Sequence, residues 1–246
     1  TRCSRDWSSD VCSSDLVIVY STNLNAQSFG FGCLGLSGFI GGYSQINYNV
    51  DNLNNLINSQ YTGLDSKVAF KTGTGFKIGG NIFRARFESF FFSTKIYYQF
   101  FKEQKEISNL SGTGLTIEKF ELTMNNWNVA IDLGIPIFKF LDLKVVEGGL
   151  SFYSPSFNHE TIINNEITSE IDYENPDNNL SYFVGSGFIL HIIPDYISLE
   201  GGAYYSFYKI NNFSYNQNLL YPNNESPLVE KGSIITSIQL NVGFPL

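Results

Sequence analysis

The charged residues that could do chemistry in this chain recur on one face of otherwise apolar stretches: Lys77, Lys95, Glu121, Asp132, Asp142, Lys144, Glu147 and Glu200, with Asn81 among them. Both signs are present, and a buried charge needs a partner. Confined to one interior, these groups would neutralise one another as a polar network, which is a structural use of charge more than a catalytic one. His159 and His191 are the only histidines, so any imidazole chemistry must use one of them. His191 reads as a satisfied interior contact near a short turn. His159 lies beside Glu160, upstream of Glu166, Glu170, Asp172 and Glu174, where a base could activate a nucleophile at an outer rim. No spacing reproduces a known site of that kind, and no catalytic residue is assigned. The same acids could hold Ca²⁺ through oxygen ligands, yet they lack an EF-hand spacing. Gly30-Phe31-Gly32-Cys33-Leu34-Gly35 matches G-x-G-x-x-G but has no following helix, because glycine continues at Gly38, Gly41 and Gly42. The expectation is therefore no metal and no cofactor.

Eight apolar-alternating segments must position these groups: Phe29 to Tyr43, Gly75 to Arg84, Phe87 to Phe101, Leu115 to Ile135, Leu141 to Tyr153, Leu180 to Ile192, Tyr196 to Ile210 and Ser233 to Phe244. The connectors between them alternate in length. Those at Arg84-Ala85-Arg86, at Pro136 to Phe140 and at Ile193-Pro194-Asp195 are short, whereas 44–74, 102–114, 154–179 and 211–232 are long and polar. Successive connectors of an antiparallel barrel fall at opposite ends, so this alternation puts the short turns on one side and the long loops on the other. Side chains alternate between faces along a strand. In the last segment Ile234, Ile238, Leu240 and Val242 fall on one face, and Ser237, Gln239 and Asn241 on the other. The reading is an all-β, eight-stranded antiparallel up-and-down transmembrane barrel, greasy outside, with short periplasmic turns and long extracellular loops. A barrel of eight strands is just wide enough for its own side chains, so the lumen is expected to be plugged. Two slips in the alternation, at Asn125-Asn126 and at Glu147-Gly148, are read as bulges.

Aromatic residues crowd both ends of the segments, as interfacial girdles do: Tyr97, Tyr98, Phe100, Phe101, Phe152, Tyr153, Tyr182, Tyr204, Tyr205, Phe207 and Tyr208 near the long loops, and Phe83, Phe87, Phe138, Phe140, Tyr196 and Phe244 near the short turns. The segments have the length a tilted membrane strand requires, about 9 to 11 residues. Within the first long loop, Val50, Leu53, Leu56 and Ile57 have helical spacing and predict a short helix over the barrel mouth.

Residues 1–16 are set apart, because Asp6 to Leu16 resembles the translation of a sequencing-library adapter and is read as an artefact. That leaves Cys33 as the one cysteine of the remaining chain, with no disulfide or metal framework. Residues 17–27 resemble the end of a secretory signal peptide, with Val17 to Tyr20 closing the apolar run and Asn25-Ala26-Gln27 at the cleavage region. Residues 28–246 then form the barrel domain. A charged fraction of 15% and an aromatic fraction of 16% suit a barrel more than a water-soluble globule. The net charge of -8 argues against nucleic acid as a partner.

Taken with the final alternation Ile238, Leu240, Val242, Phe244, the layout resembles the outer membrane protein A-like small barrels of Gram-negative bacteria, of the Bacteroidetes type. In such proteins the last strand usually finishes on an aromatic residue, whereas here Pro245-Leu246 follow. The resemblance implies outer-membrane lipid and the barrel-insertion machinery as partners, and a non-enzymatic protein displaying loops for surface interaction, adhesion or envelope integrity, with its extracellular ligand undefined. Two alternatives remain open at this point. One is an outer-membrane lipid-modifying enzyme. The other is a soluble lipocalin-like carrier, in which the apolar face would line the pocket instead of facing out.

Overall fold

A computed structural model describes residues 38–61, 67–111, 114–177, 179–194, 196–222 and 226–243. The adapter-like and signal-like segments, Cys33, the G-x-G-x-x-G run and Phe244 lie outside these. In chain order the elements are β1 (Gly38–Asn47), α1 (Asp51–Gln60), β2 (Thr72–Arg86), β3 (Phe91–Ser111), β4 (Gly114–Phe138), β5 (Leu141–Ile163), β6 (Glu166–Glu174), β7 (Leu180–Ile193), β8 (Ile197–Ser206), β9 (Ser214–Tyr215), β10 (Asn218–Leu219) and β11 (Ser233–Gly243). Strands β1, β2, β3, β4, β5, β7, β8 and β11 form a closed antiparallel ring. The closure runs through β1, which pairs with both β2 and β11, and through β5, which pairs with both β4 and β7. Closure gives every ring strand two neighbours and leaves no edge exposed to lipid.

The outer face is apolar and the lumenal face polar. Ile238, Leu240, Val129, Ile131 and Phe188 point outward and are exposed, while Lys95, Asp132, Lys144, Glu147, Glu200 and Gln239 are buried inside. That arrangement is stable only with lipid outside. It is the reverse of a lipocalin-like carrier, and that alternative falls. Among the described residues, no helix is long and apolar enough to cross a membrane.

Two bulges set which residues reach the lumen. Strand pairing between β2 and β3 slips at Ile82, so Lys77 and Asn81 face inward on its outer side and Arg84 and Arg86 face inward on its short-turn side, pairing with Ser93 and Phe91. The expected turn at Arg84-Ala85-Arg86 is thus strand. The turn occupies 87–90 and β3 starts at Phe91, because the bulge lets both arginines reach Asp142 from the ladder. The second slip lies at Val145-Val146, against both β4 and β7. Residues three apart on a strand normally face opposite sides, yet this extra residue turns Lys144 and Glu147 into the same lumen. The connector expected at Pro136 to Phe140 shrinks to Lys139-Phe140, with β4 continuing to Phe138.

No bulge occurs at Asn125-Asn126. Pairing of β3 with β4 is continuous from Phe91↔Gly134 to Ser111↔Gly114. What changes there is polarity. Below this level Trp127, Val129 and Ile131 point out and Asn126, Asn128 and Asp132 point in. Above it Glu121 and Thr123 point out, and Phe120, Leu122 and Met124 point in and are buried. The same inversion falls at Phe100/Phe101 on β3 and at Phe152/Tyr153 on β5, and these positions are aligned across the sheet as Phe100↔Asn125, Asn126↔Tyr153 and Trp127↔Phe152. One line therefore crosses three strands. Lipid lies on one side of it, and water outside with an apolar core inside lies on the other.

The long connectors are largely ordered. β3, β4 and β5 extend past this line, β6 returns along β5, and the β9–β10 hairpin follows. Asn164-Asn165 and Asn216-Gln217 hold positive φ values of 51° and 68°, and of 48° and 66°, as two-residue hairpin turns require. β5 changes partner midway, pairing with β7 up to Phe152 and with β6 from Ser156 onward. Pro155, which has no N–H to give a ladder, sits in the gap between the two partners.

Leu240→Arg, on the outward face of β11, should destabilise the barrel by about 2 to 4 kcal/mol in urea titrations of folding into lipid vesicles, and Ile234→Arg near the outer end by about 1 kcal/mol or less. Equal costs at the two depths would contradict a bilayer around this face.

Candidate functional site: the lumenal ion cluster and the outer cap

Three cations and three anions meet in mid-barrel because alternate positions on β2, β3, β4, β5 and β8 converge there. Lys95 Nζ lies 2.5 Å from Asp132 and 2.8 Å from Glu200. Lys144 Nζ lies 2.5 Å from Glu200, bonds Glu147, and reaches the Tyr204 hydroxyl at 2.9 Å. Tyr97 and Tyr204 donate their hydroxyls to Glu147 at 3.2 and 3.1 Å, Asn241 donates to Glu200 at 3.1 Å, and Ser93 donates to Asp132 at 2.8 Å. Asp132, Glu147 and Glu200 approach closely enough to hold a cation, and the ammonium groups of Lys95 and Lys144 fill that role. Lys77 is buried without a hydrogen bond, and its Nζ lies 3.7 Å from the centre of the Tyr97 ring.

Side chains also fill the lumen below and above this cluster. Toward the short turns Asp142 accepts from Arg86 at 2.7 Å and bonds His191 Nε2 at 2.8 Å, so His191 is the satisfied interior histidine expected. Phe91 fills the space beside Gly134, where an added Cβ would lie 2.3 Å from its ring. Above the cluster a cavity of about 10 Å³ between Tyr97, Gln99, Asn128 and Phe183 has room for a single water.

Of the polar residues expected inside, Lys77, Asn81, Lys95, Asp132, Asp142, Lys144, Glu147 and Glu200 are there. Glu121 is not. Its parity comes from the polarity inversion and not from a slip at Asn125-Asn126: β4 runs in register and Glu121 stays on the outer face, past the polarity line, bound to Lys102 at 2.7 Å. Several aromatics expected in the outer girdle are likewise interior: Tyr97, Phe101, Tyr153, Tyr204 and Tyr208 are buried, and the girdle at this end is made by Tyr98, Phe152, Tyr182 and Tyr205.

Over the lumen lies an apolar cap that alternation alone does not reveal. α1 buries Leu53 and Ile57 in one apolar core with Val68, Phe70, Phe101 and Phe120, as its helical spacing requires. Asn54 and Asn58 bind the backbone of Phe70 and Val68 through both amide atoms at 2.8 to 2.9 Å. Tyr61, which ends the helix, stands edge-on to Phe120, and its hydroxyl is 3.2 Å from Nε2 of His159. That imidazole lies flat on Phe120 and 2.7 Å from Glu118. Burial, and then the Glu118 charge, push the Tyr61 phenol up to about 12, so it stays protonated at neutral pH. Thr161 donates its hydroxyl to Glu118 at 2.8 Å. The partners of His159 are thus an acid and a high-pKa phenol, an arrangement that fastens α1 to β4 and β5.

No protein-family model matches the chain, and no curated protein does. Among solved structures it is similar to Ail, the attachment invasion locus protein of Yersinia pestis, at 12% identity over 85% of this chain and 97% of that one, with a TM-score of 0.40. It is similar to Neisserial surface protein A at 11% identity over 85% and 97%, with a TM-score of 0.40. The outer membrane protease OmpT from Escherichia coli matches at 11% identity over 91% and 99%, with a TM-score of 0.37.

Lys144→Met should cost about 3 to 5 kcal/mol in folding titrations, since it takes the close cation from Glu147 and leaves Glu200 with Lys95 alone. Lys77→Met, which removes a cation bound only by aromatic faces, should cost clearly less. The reverse order would mean that Lys144 does not hold the cluster together.

Proposed function

We propose that this protein is an integral barrel of the bacterial outer membrane, with a plugged lumen, whose work is done by the sheet it raises on the outside. The observation that carries this reading is the line across β3, β4 and β5 at which facial polarity inverts with no change of register. A strand designed only to enclose a pore has no use for an apolar core beyond the bilayer. A strand that must present a firm surface to water does. The ion cluster supports the same reading from the other side. Asp132, Glu147 and Glu200 are bound to Lys95 and Lys144, and opening a passage would mean breaking those contacts in a confined, poorly hydrated space.

Its role is recognition or adhesion at the cell surface and not catalysis. On the outer rim the imidazole of His159 is engaged by Glu118 and Tyr61, and the Thr161 hydroxyl donates to the same carboxylate, so these groups hold α1 to β4 and β5, a structural use that supports this reading. Outer-membrane lipid and the barrel-insertion machinery are the partners this role entails.

The folded chain should migrate faster than its boiled form in detergent gels, and planar-bilayer recordings should give no stable open channel. A Thr168→Cys variant, with the label site exposed on β6, should react with a membrane-impermeant maleimide on intact cells. Absence of labelling on intact cells with labelling after lysis would place the sheet on the wrong side for this function, and a large steady conductance would refute the plug.

A further inference from the structure

Among the described residues, two long strands of the outer sheet have a mostly unpaired side, β3 beyond Lys102 and β6, and β6 carries the regular acidic edge. Over Glu166–Glu174 it pairs with β5, whereas its other side meets β9 at a single position, Glu174↔Ser214. A slip in the pairing with β5 at Thr168 separates the start of the strand from a regular stretch, Ser169 to Tyr173. Among the described residues, no backbone hydrogen bond reaches that stretch from the β9 side. Its outward N–H and C=O groups form a template onto which a further strand can add.

The side chains define what would fit. Glu170, Asp172 and Glu174 share one face of β6, and across the ladder Glu160 faces Glu170 and Asn158 faces Asp172. The other face, carrying Ile171 and Tyr173, turns toward the cap, where Tyr173 packs on Phe157 and Tyr215. A second copy of β6 would set acid against acid across the new ladder, which is destabilising. A strand with lysine or arginine at alternate positions would set opposite charges against Glu170 and Asp172 and continue the apolar face with the residues between.

We infer that the edge of β6 at 169–173 is a docking site for an extended, basic segment of a partner protein, added as a further strand to the outer sheet. This rests on the surface-recognition reading and names the class of partner. The edge is acidic enough to reject its own kind, and regular enough between Thr168 and Glu174 to accept about five residues of another chain.

The test uses the full chain in phosphatidylcholine nanodiscs and a labelled seven-residue peptide alternating lysine with valine, with the glutamate-for-lysine peptide as control. Saturable binding by fluorescence anisotropy is expected for the lysine peptide alone, together with slowed amide hydrogen exchange at 169–173. Glu170→Lys with Asp172→Lys should weaken binding about tenfold or more, and raising salt should weaken it in the unaltered protein. No saturable binding, equal binding of the glutamate peptide, or binding without new protection at 169–173 would overturn the proposal, as would a dimer through β6 displaced by the peptide. The Thr168→Cys labelling is independent of these outcomes: peptide binding without labelling on intact cells would retain the edge and remove its place at the surface.

Discussion

Everything in this barrel is arranged around the need to keep Asp132, Glu147 and Glu200 beside Lys95 and Lys144 in a lumen where all five are buried. Mutual attraction in so poorly hydrated a place is strong, yet it offsets the desolvation of each ion only when geometry is good and the remaining hydrogen-bonding positions are filled. That demand explains the hydroxyls of Tyr97 and Tyr204 on Glu147 and the amide of Asn241 on Glu200. It also explains the bulge at Val145-Val146. Without that extra residue Lys144 and Glu147 would face opposite solvents, and one of the two charges would stand in lipid.

The same reasoning separates the two halves of the molecule. Within the bilayer, lipid covers the outer face and the interior must satisfy polar groups with one another. Beyond it, water covers the outer face, and the interior gains by becoming apolar, as Phe120, Leu122, Met124 and Phe157 do. No break in the strands is needed, because the side-chain period is two in both solvents. Only the assignment of polar and apolar residues to the two faces is exchanged.

That exchange marks how far the amino-acid sequence could be read. Strand positions were legible because each crossing segment alternates strictly, as in Ser233 to Val242, where even positions are exposed and odd ones buried. α1 was legible from Val50, Leu53 and Ile57. Glu121 was misassigned because a change of solvent and a bulge leave the same trace in a linear pattern: either one moves the polar residues to the other parity. Continuous pairing of β3 with β4 is what tells them apart, and pairing is a three-dimensional fact. The cap was hidden for a related reason, since an inward Phe120 and an outward Ile131 look alike until their depth is known. The ion pairs themselves depended on stagger between strands, which brings Lys95 of β3 to Glu200 of β8 across the lumen.

β4 has 25 residues, and at roughly 3.4 Å each it is about 80 Å of continuous strand, more than twice the roughly 10 residues that a bilayer crossing requires. Its upper portion and that of β5 are thus one piece with the portions in lipid. A load applied at the far tip runs along the strand axis into the ring, where it meets many ladder hydrogen bonds side by side, in shear, and cannot peel them one at a time. The projection is a mast stepped through the deck: tension at its tip would be borne by the whole barrel and the bilayer around it.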